Sequence, residues 1–191
     1  MELDGIDLTT ETVRTERLVL RPYRPDDSEA IHRACQDADI LRWLTVPSPY
    51  TMSDAVEFAT KTTVAARAER KGLLTAVEAD GEFVGSAGLS FGPGLLGPGV
   101  GYWLAPWARG RGYAAEAARA LADWGLARGA VRIHLFADVD NAPSQAAARR
   151  AGFADEGVVR SCLPYRDGSR GDAVLFRRMA GDRPAGAGGR A

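Results

Sequence analysis

Two arginines and two glycines packed into four residues, Arg109-Gly110-Arg111-Gly112, are the part of this chain best suited to do chemistry. Arginine presents a planar fork of donors that matches phosphate oxygens. Glycine carries no Cβ, so an anion can come close to the backbone. The flanks sharpen the reading. Val100-Gly101-Tyr102-Trp103-Leu104 is apolar, aromatic and β-branched, which predicts a strand, and Pro106 ends it. Tyr113, Ala117, Leu121 and Trp124 recur at three- and four-residue spacing in an Ala-rich run, which predicts a helix over 110–128 stopped by Gly129. A strand thus feeds a helix N-terminus through a Gly-rich turn. The first turn of a helix has N–H groups without partners, and the dipole favours negative charge there. A pyrophosphate is the natural guest. The plainer alternative is a structural turn carrying two solvated arginines.

Asn141 and Ser144 form a second candidate pair. On local grounds Asn141 is a helix N-cap and Ser144 a first-turn residue. His134, between Ile133 and Leu135, could face a site, although a satisfied strand histidine is the simpler reading. Trp43, Tyr50, Trp103 and Trp107 could line a pocket or belong to the core. Glu116 suits an early helix position and reads as structural.

Composition narrows the classes. A chain of 191 residues with 46% hydrophobic and 26% charged residues suits one soluble domain, placed at 1–179. A net charge of −1 gives no basic field, so nucleic acid is not an expected partner. No apolar run reaches the ~20 residues of a membrane span, and the N-terminus lacks a signal-peptide pattern. Two cysteines and two histidines supply no metal site, and free thiols fit the cytoplasm.

The remaining elements must position these groups. Arg17–Tyr23 reads as a strand after an irregular lead-in over 1–13. Helices are expected after Pro25 and from Ser53 or Thr51 to about Arg70, with Ile40–Leu44 undecided. Strands 73–79 and 82–91 make a hairpin at Asp80-Gly81. A loop at 92–98 leads to the strand at Val100. Val131–Ala137 is a strand and 142–151 a helix ended by Gly152. Phe153–Val159 and Asp172–Met179 are the last strands. Residues 180–191 read as a disordered tail. The order β-α-α-β-β-β-α-β-α-β-β predicts an α/β fold with a mixed, mostly antiparallel central sheet and helices on both faces.

Three phosphate motifs compete for the loop. A P-loop needs Lys and Ser or Thr after the last glycine, where Tyr113 stands. Gly110-x-Gly112-x-x-Ala115 has dinucleotide-fingerprint spacing, but about half the chain precedes it. Arg109-x-x-Gly112-x-Ala114 fits the third motif. With the opening Arg17-Leu-Val-Leu-Arg-Pro22, Gly101-Tyr-Trp-Leu104, Glu116, Asn141-x-x-Ser144 and Gly152-Phe153, the chain resembles the GNAT family of acyl-CoA-dependent N-acyltransferases, in its RimJ/RimL-like branch. The resemblance covers about 15–179. It implies acetyl-CoA, or another acyl-CoA, as co-substrate, with Arg109, Gly110, Arg111, Gly112, Tyr113 and Ala114 on the pyrophosphate. Backbone of Trp103, Leu104 and Ala105 would meet the pantetheine arm, with the N–H near Leu104 facing the thioester oxygen. Asn141 would lie near the pantetheine or pyrophosphate and Ser144 near the sulfur, where a hydroxyl would relay a proton or hydrogen-bond the thiolate.

This sequence departs from the family in three places, one of them Leu163, where some relatives have a glutamate before the tyrosine of the later loop. Many relatives have a tyrosine where Ala148 stands, and RimJ/RimL-like proteins often have a glutamate where Gly99 stands. Other acids, including Asp138, Asp140, Glu156 and Asp172, carry no assigned base role, since an amine could lose its proton through water. The implied activity is acetyl transfer to a primary amine, on a protein N-terminus or a small molecule. A weakly catalytic acyl-CoA-binding module and a nicotinamide enzyme are the alternatives. The loop 92–98 and the helices near Trp43 would set acceptor choice, and the chain could assemble as a homodimer.

Overall fold

The computed structural model describes residues 1–92 and 94–182. Eight strands form one sheet in the order β1-β2-β3-β4-β5-β6-β8-β7. They are β1 (Val13–Arg14), β2 (Val19–Arg21), β3 (Gly72–Ala79), β4 (Glu82–Ser90), β5 (Gly99–Leu104), β6 (Arg132–Asp138), β7 (Ala154–Pro164) and β8 (Arg170–Met179). Only β5 and β6 run parallel. Helices α1 (Asp27–Ala34), α2 (Ala38–Trp43), α3 (Met52–Glu57) and α4 (Thr63–Ala68) cover one face. Helices α5 (Tyr113–Leu126) and α6 (Ala142–Arg150) cover the other. This is the mixed sheet with helices on both faces that the element order predicts. A doubly wound parallel sheet, which the dinucleotide reading required, is not what the chain builds.

Local chemistry explains the elements. The turn between β3 and β4 has Asp80 and Gly81 both at positive φ, 52° and 82°, the pair a two-residue hairpin needs. Thr51 starts α3 through a capping box with Asp54, each side chain accepting the other's backbone N–H. The expected helix from there to Arg70 is interrupted by a π turn over Phe58–Thr62 and ends at Ala68. Its Thr60 and Thr63 hydroxyls donate to carbonyls one turn earlier, a competition that loosens the regular ladder. The undecided stretch near Ile40 is α2, capped by Asp37, whose carboxylate accepts the Ile40 N–H.

Other boundaries depart from the sequence reading. The first strand is confined to Val19–Arg21, ending where Pro22 has no N–H to extend it, while β1 forms at the last residue of the supposed irregular lead-in and the one after it, Val13–Arg14. Helix α5 begins at Tyr113 rather than 110, since Gly110 and Gly112 lie at φ 78° and 81°, outside helical space. The two last strands are longer than expected, and β7 carries register shifts at Asp155/Gly157 and Val159/Leu163.

The described residues of the loop after β4 lie beside Met1, Leu3 and Gly129–Arg132. This corrects its expected role in acceptor choice: β5 carries the chain away from that loop, toward the other end of the sheet. Residues 183–191, most of the expected tail, lie outside the described residues. Asp182 turns back and accepts from the Met179 N–H at 2.9 Å and from Arg177 at 3.0 Å. Among the described residues no helix is long and apolar enough to cross a membrane.

Candidate active site

β5 and β6 meet at a single ladder pair, Gly99 with His134, where the His134 N–H donates to the Pro98 carbonyl at 2.9 Å. Beyond it the two strands diverge and leave a cleft. β5 stays paired with β4 along its whole length, and the Ala105 N–H continues that ladder to the Val84 carbonyl at 3.0 Å. Backbone groups alternate along a strand. With Pro98 facing β6 and Ala105 facing β4, the backbone of Val100, Tyr102 and Leu104 therefore faces the cleft. Trp103 faces β4, where it pairs with Ser86. Ala105 is spent on both sides, because its carbonyl accepts the Ala108 N–H at 2.9 Å. Of the three backbone positions the sequence singles out, Leu104 alone offers its N–H to the cleft. Tyr102, not among them, offers the next.

At the cleft's end the chain turns through Pro106–Ala108, one turn of 3-10 helix, into the Arg109–Gly112 loop. A Cβ on Gly110 would meet nothing within 4 Å, and one on Gly112 would meet only the Arg17 guanidinium at 3.6 Å. The backbone there is open to solvent and needs glycine for its left-handed φ. Gly112 caps α5 without a side-chain bond, so the N–H groups of the first turn point outward unmasked. Tyr113 is buried under this turn and Ala114 lines the cavity beside it.

The two arginines behave differently. Arg111 is exposed and holds no carboxylate among the described residues; its carbonyl accepts from Arg17 at 3.0 Å. Arg109 is drawn to the start of α2, with Asp37 at 2.5 Å and Asp39 at 3.2 Å. That hydrogen bond holds the Asp37 carboxyl below its usual range. Arg17, from the opening motif, replaces it at the loop: it bonds Glu116 through Nε at 2.7 Å and Nη2 at 2.5 Å while reaching the Arg111 carbonyl. Burial works to raise Glu116, yet the Thr15 and Arg17 hydrogen bonds leave it below its usual value. Glu116 is the brace that ties the N-terminal strands to α5.

Two cavities open off the cleft and share a wall of Trp43, Leu44, Tyr102, Asn141 and Ser144. One, of about 220 Å³, extends past Trp103 and Leu104 to Arg109 and Ala114. The other, of about 310 Å³, runs between α2, the end of β6 and the β7–β8 loop. Asn141 caps α6, accepting the Ser144 N–H at 3.1 Å. The Tyr102 hydroxyl lies 3.0 Å from the Ser144 carbonyl, to which it donates, and 3.2 Å from the Ser144 hydroxyl. Burial raises the Tyr102 phenol. Ala148, one turn on, is fully buried beneath.

The second cavity holds what the sequence reading left without a role. Asp138 closes β6, almost wholly buried, and is the one carboxylate among the residues lining that cavity. The Tyr165 hydroxyl donates to it, and the Asp140 N–H donates to its other oxygen at 2.8 Å. Accepting that bond, Asp138 pushes the Tyr165 phenol up to about 12. A Cβ on Gly171 would overlap the Tyr165 hydroxyl and ring, so glycine is what lets this ring lie across β8. The irregular stretch of β7 before Leu163 aims Leu163-Pro164-Tyr165 at the cavity. Asp172 fixes that irregularity by accepting the Ser161 N–H at 2.8 Å.

The other candidates fall outside. Trp107 lies under Arg33, 3.9 Å from its centroid, and donates to the Phe83 carbonyl. Tyr50 is buried among the α1–α4 helices. Glu156 pairs with Arg132 at 2.5 Å and Arg177 at 3.0 Å. His134 fills the space a side chain at Gly99 would need, its ring 2.7 Å from where that Cβ would stand. Burial lowers its pKa, with the backbone of Leu96–Pro98 acting against this. Contrary to the expectation of a satisfied histidine, its buried Nδ1 has no partner among the described residues. No cluster of metal-binding side chains occurs among them either.

Comparison with known proteins gives concordant findings. The sequence model of the acetyltransferase (GNAT) domain matches residues 17–154. The uncharacterized N-acetyltransferase YoaA of Bacillus subtilis is 25% identical over 86% of this chain and 94% of its own. Among solved structures, RimJ of Mycobacterium smegmatis in complex with a CoA disulfide is 27% identical with a TM-score of 0.76, covering 89% and 88% of the two chains. The microcin C7 self-immunity acetyltransferase MccE, in complex with acetyl-CoA and AMP, shares the fold at 20% identity, with a TM-score of 0.79 over 87% and 94%.

Proposed function

Since the chain belongs to the GNAT acetyltransferase family, we propose that it transfers acetyl from acetyl-CoA to a primary amine, on a protein N-terminus or a small molecule, by direct attack. The observation that carries this is the cleft between β5 and β6, running onto the open Gly110–Gly112 backbone at the start of α5. A pantetheine arm adds to β5 as a strand would, through Tyr102 and Leu104. The pyrophosphate sits on the unmasked N–H groups at the start of α5, with Arg111 beside it. The Leu104 N–H faces the thioester oxygen and steadies its developing charge. Nitrogen attacks the carbonyl carbon and gives one N–H proton to water, the C–S bond breaks, and the thiolate takes the Ser144 hydroxyl proton as water returns one to Ser144. RimJ and MccE, as complexes with a CoA disulfide and acetyl-CoA, support the choice of co-substrate.

The test is calorimetric titration of CoA into wild type, Gly112→Ala and Gly112→Glu. Both variants share the cost of a left-handed backbone, about 1–2 kcal/mol. Alanine adds only a methyl group in open space, whereas glutamate adds bulk and negative charge. Alanine should retain measurable binding and glutamate should abolish it. Equal affinity of the glutamate variant and wild type would remove the loop from the site. The alternative, a module that binds acyl-CoA without transferring it, draws on Gly99 and Ala148 standing where relatives have Glu and Tyr. Release of CoA thiol across a panel of amines separates it from an enzyme.

A further inference from the structure

We propose that Asp138 takes the proton of the attacking amine, with Tyr165 and Gly171 as the residues that aim it. The assignment rests on the acetyl-transfer reading above. It starts from where the cavities meet. Tyr102, Asn141 and Ser144 border both, so a thioester arriving through the 220 Å³ cavity ends where the 310 Å³ cavity begins. An acceptor amine entering from the far side therefore crosses a chamber with one carboxylate in its wall, Asp138. At the strand position where a glutamate would project in RimJ/RimL-like proteins there is no room, because His134 occupies it. A side-chain base in this chain therefore stands elsewhere than at that position.

Asp138 is built for direction. Its two oxygens each take one donor, Tyr165 O–H and Asp140 N–H, which fixes the carboxylate plane and leaves each oxygen a further acceptor position. Tyr165 reaches it only because residue 171 has no side chain. The charged groups around it are Asp140 on the same turn and, at the cavity rim, Arg42 from α2 and Arg166 from the β7–β8 loop. Arg42 is stacked on Trp43 at 4.3 Å, and Arg166 donates to the Leu41 carbonyl. Neither pairs with Asp138. The carboxylate remains available.

The step balances as follows. The amine lone pair forms the N–C bond, which leaves a positive charge on nitrogen. One N–H proton moves to an Asp138 oxygen. The C–S bond breaks, the thiolate takes the Ser144 hydroxyl proton, water returns one to Ser144, and Asp138 gives its proton to water at the cavity mouth. The products are the amide and CoA thiol.

The experiment measures CoA release from acetyl-CoA with a panel of dipeptides and aminoalkanes. Asparagine at 138 can accept the Asp140 N–H and donate its amide to the Tyr165 hydroxyl, so Asp138→Asn should fold. It should lower kcat by ~100-fold or more while the KM for acetyl-CoA stays within twofold. Asp138→Ala should lose activity and regain at least tenfold of it in formate, which a structural role could not produce. Tyr165→Phe keeps the base but frees its aim, and should cost kcat less than Asp138→Asn does. Asp138→Asn turning over at the wild-type rate, or an Asp138→Ala loss that formate leaves untouched, overturns the assignment alone. Wild-type protein that binds acetyl-CoA yet releases no CoA with any amine overturns acetyl transfer itself, and the assignment with it.

Discussion

Ser144 and Tyr102 lie 42 positions apart, and only the fold reveals that they touch. The Asn141-x-x-Ser144 spacing was readable because both residues belong to one helical turn, where sequence distance is spatial distance. Asp138 was readable only as an acid, since its partner Tyr165 comes from another strand's end and its clearance from Gly171. The Tyr102 contact bears on the departing thiolate. A serine hydroxyl is a poor acid, but it can pass a proton along when the Tyr102 hydroxyl turns from the Ser144 carbonyl to the Ser144 hydroxyl, 3.2 Å away. A hydrogen bond to a charged group is worth about 1.5–3 kcal/mol, so Ser144→Ala should lower kcat roughly 10- to 100-fold with CoA affinity nearly intact. Tyr102→Phe, which keeps the serine, should cost less. Asn141→Ala should instead weaken CoA binding and remove about 1 kcal/mol of stability with the lost cap. Steady-state kinetics under conditions where chemistry limits the rate check the first two. Ser144→Ala at full speed would leave Ser144 as a first-turn helix residue and nothing more.

At the scale of elements, periodicity and turn chemistry were enough to find the hairpin at Asp80-Gly81, the α5 and α6 helices and the strand that opens the cleft. Where elements are short, neighbours decide. α2 has six residues and is held by Asp37 at its cap and by Arg109 on Asp37, a contact no local pattern encodes. The opening Arg17-Leu-Val-Leu-Arg-Pro22 segment likewise shows its purpose only in three dimensions. Arg21 grips Asp27 in α1's first turn with two bonds of 2.8 Å, both partners nearly out of solvent, and the partly buried Glu78 on β3 with one of 2.6 Å. The surrounding carboxylates raise its pKa above the ordinary arginine value, so it stays charged. Removing one partner of such a buried group leaves an uncompensated charge, at a cost of about 3–5 kcal/mol. Arg21→Met should lose that much in urea unfolding, and adding Asp27→Leu should return part of it. A loss below about 1 kcal/mol would mean the network is merely tolerated. Because α1 leads into α2, the single variant should also loosen the Trp43 wall of the acceptor chamber.

The whole molecule is two half-sheets, β1–β5 and β6–β8, joined in the plane of the sheet by one ladder pair and otherwise by α5 packing across their shared face. That arrangement leaves the backbone of Tyr102 and Leu104 without a strand partner at the line where the halves part. A ligand that lies along this line satisfies those groups and bridges the halves at once. CoA at about 100 times its Kd should therefore raise the unfolding free energy by about 2.7 kcal/mol, which for a chain of this size is a melting shift of roughly 5–10 °C. The same ligand should leave a local signature in hydrogen exchange. The amides of Tyr102 and Leu104 should slow well beyond the global change, as should those at the start of α5. Trp103 and Ala105, already paired toward β4, should follow only the global change. Protection that rises evenly through β5, without this alternation, would show that CoA stabilises the fold from elsewhere than the cleft. Alternation without protection at α5 would place the pantetheine arm correctly and the pyrophosphate wrongly.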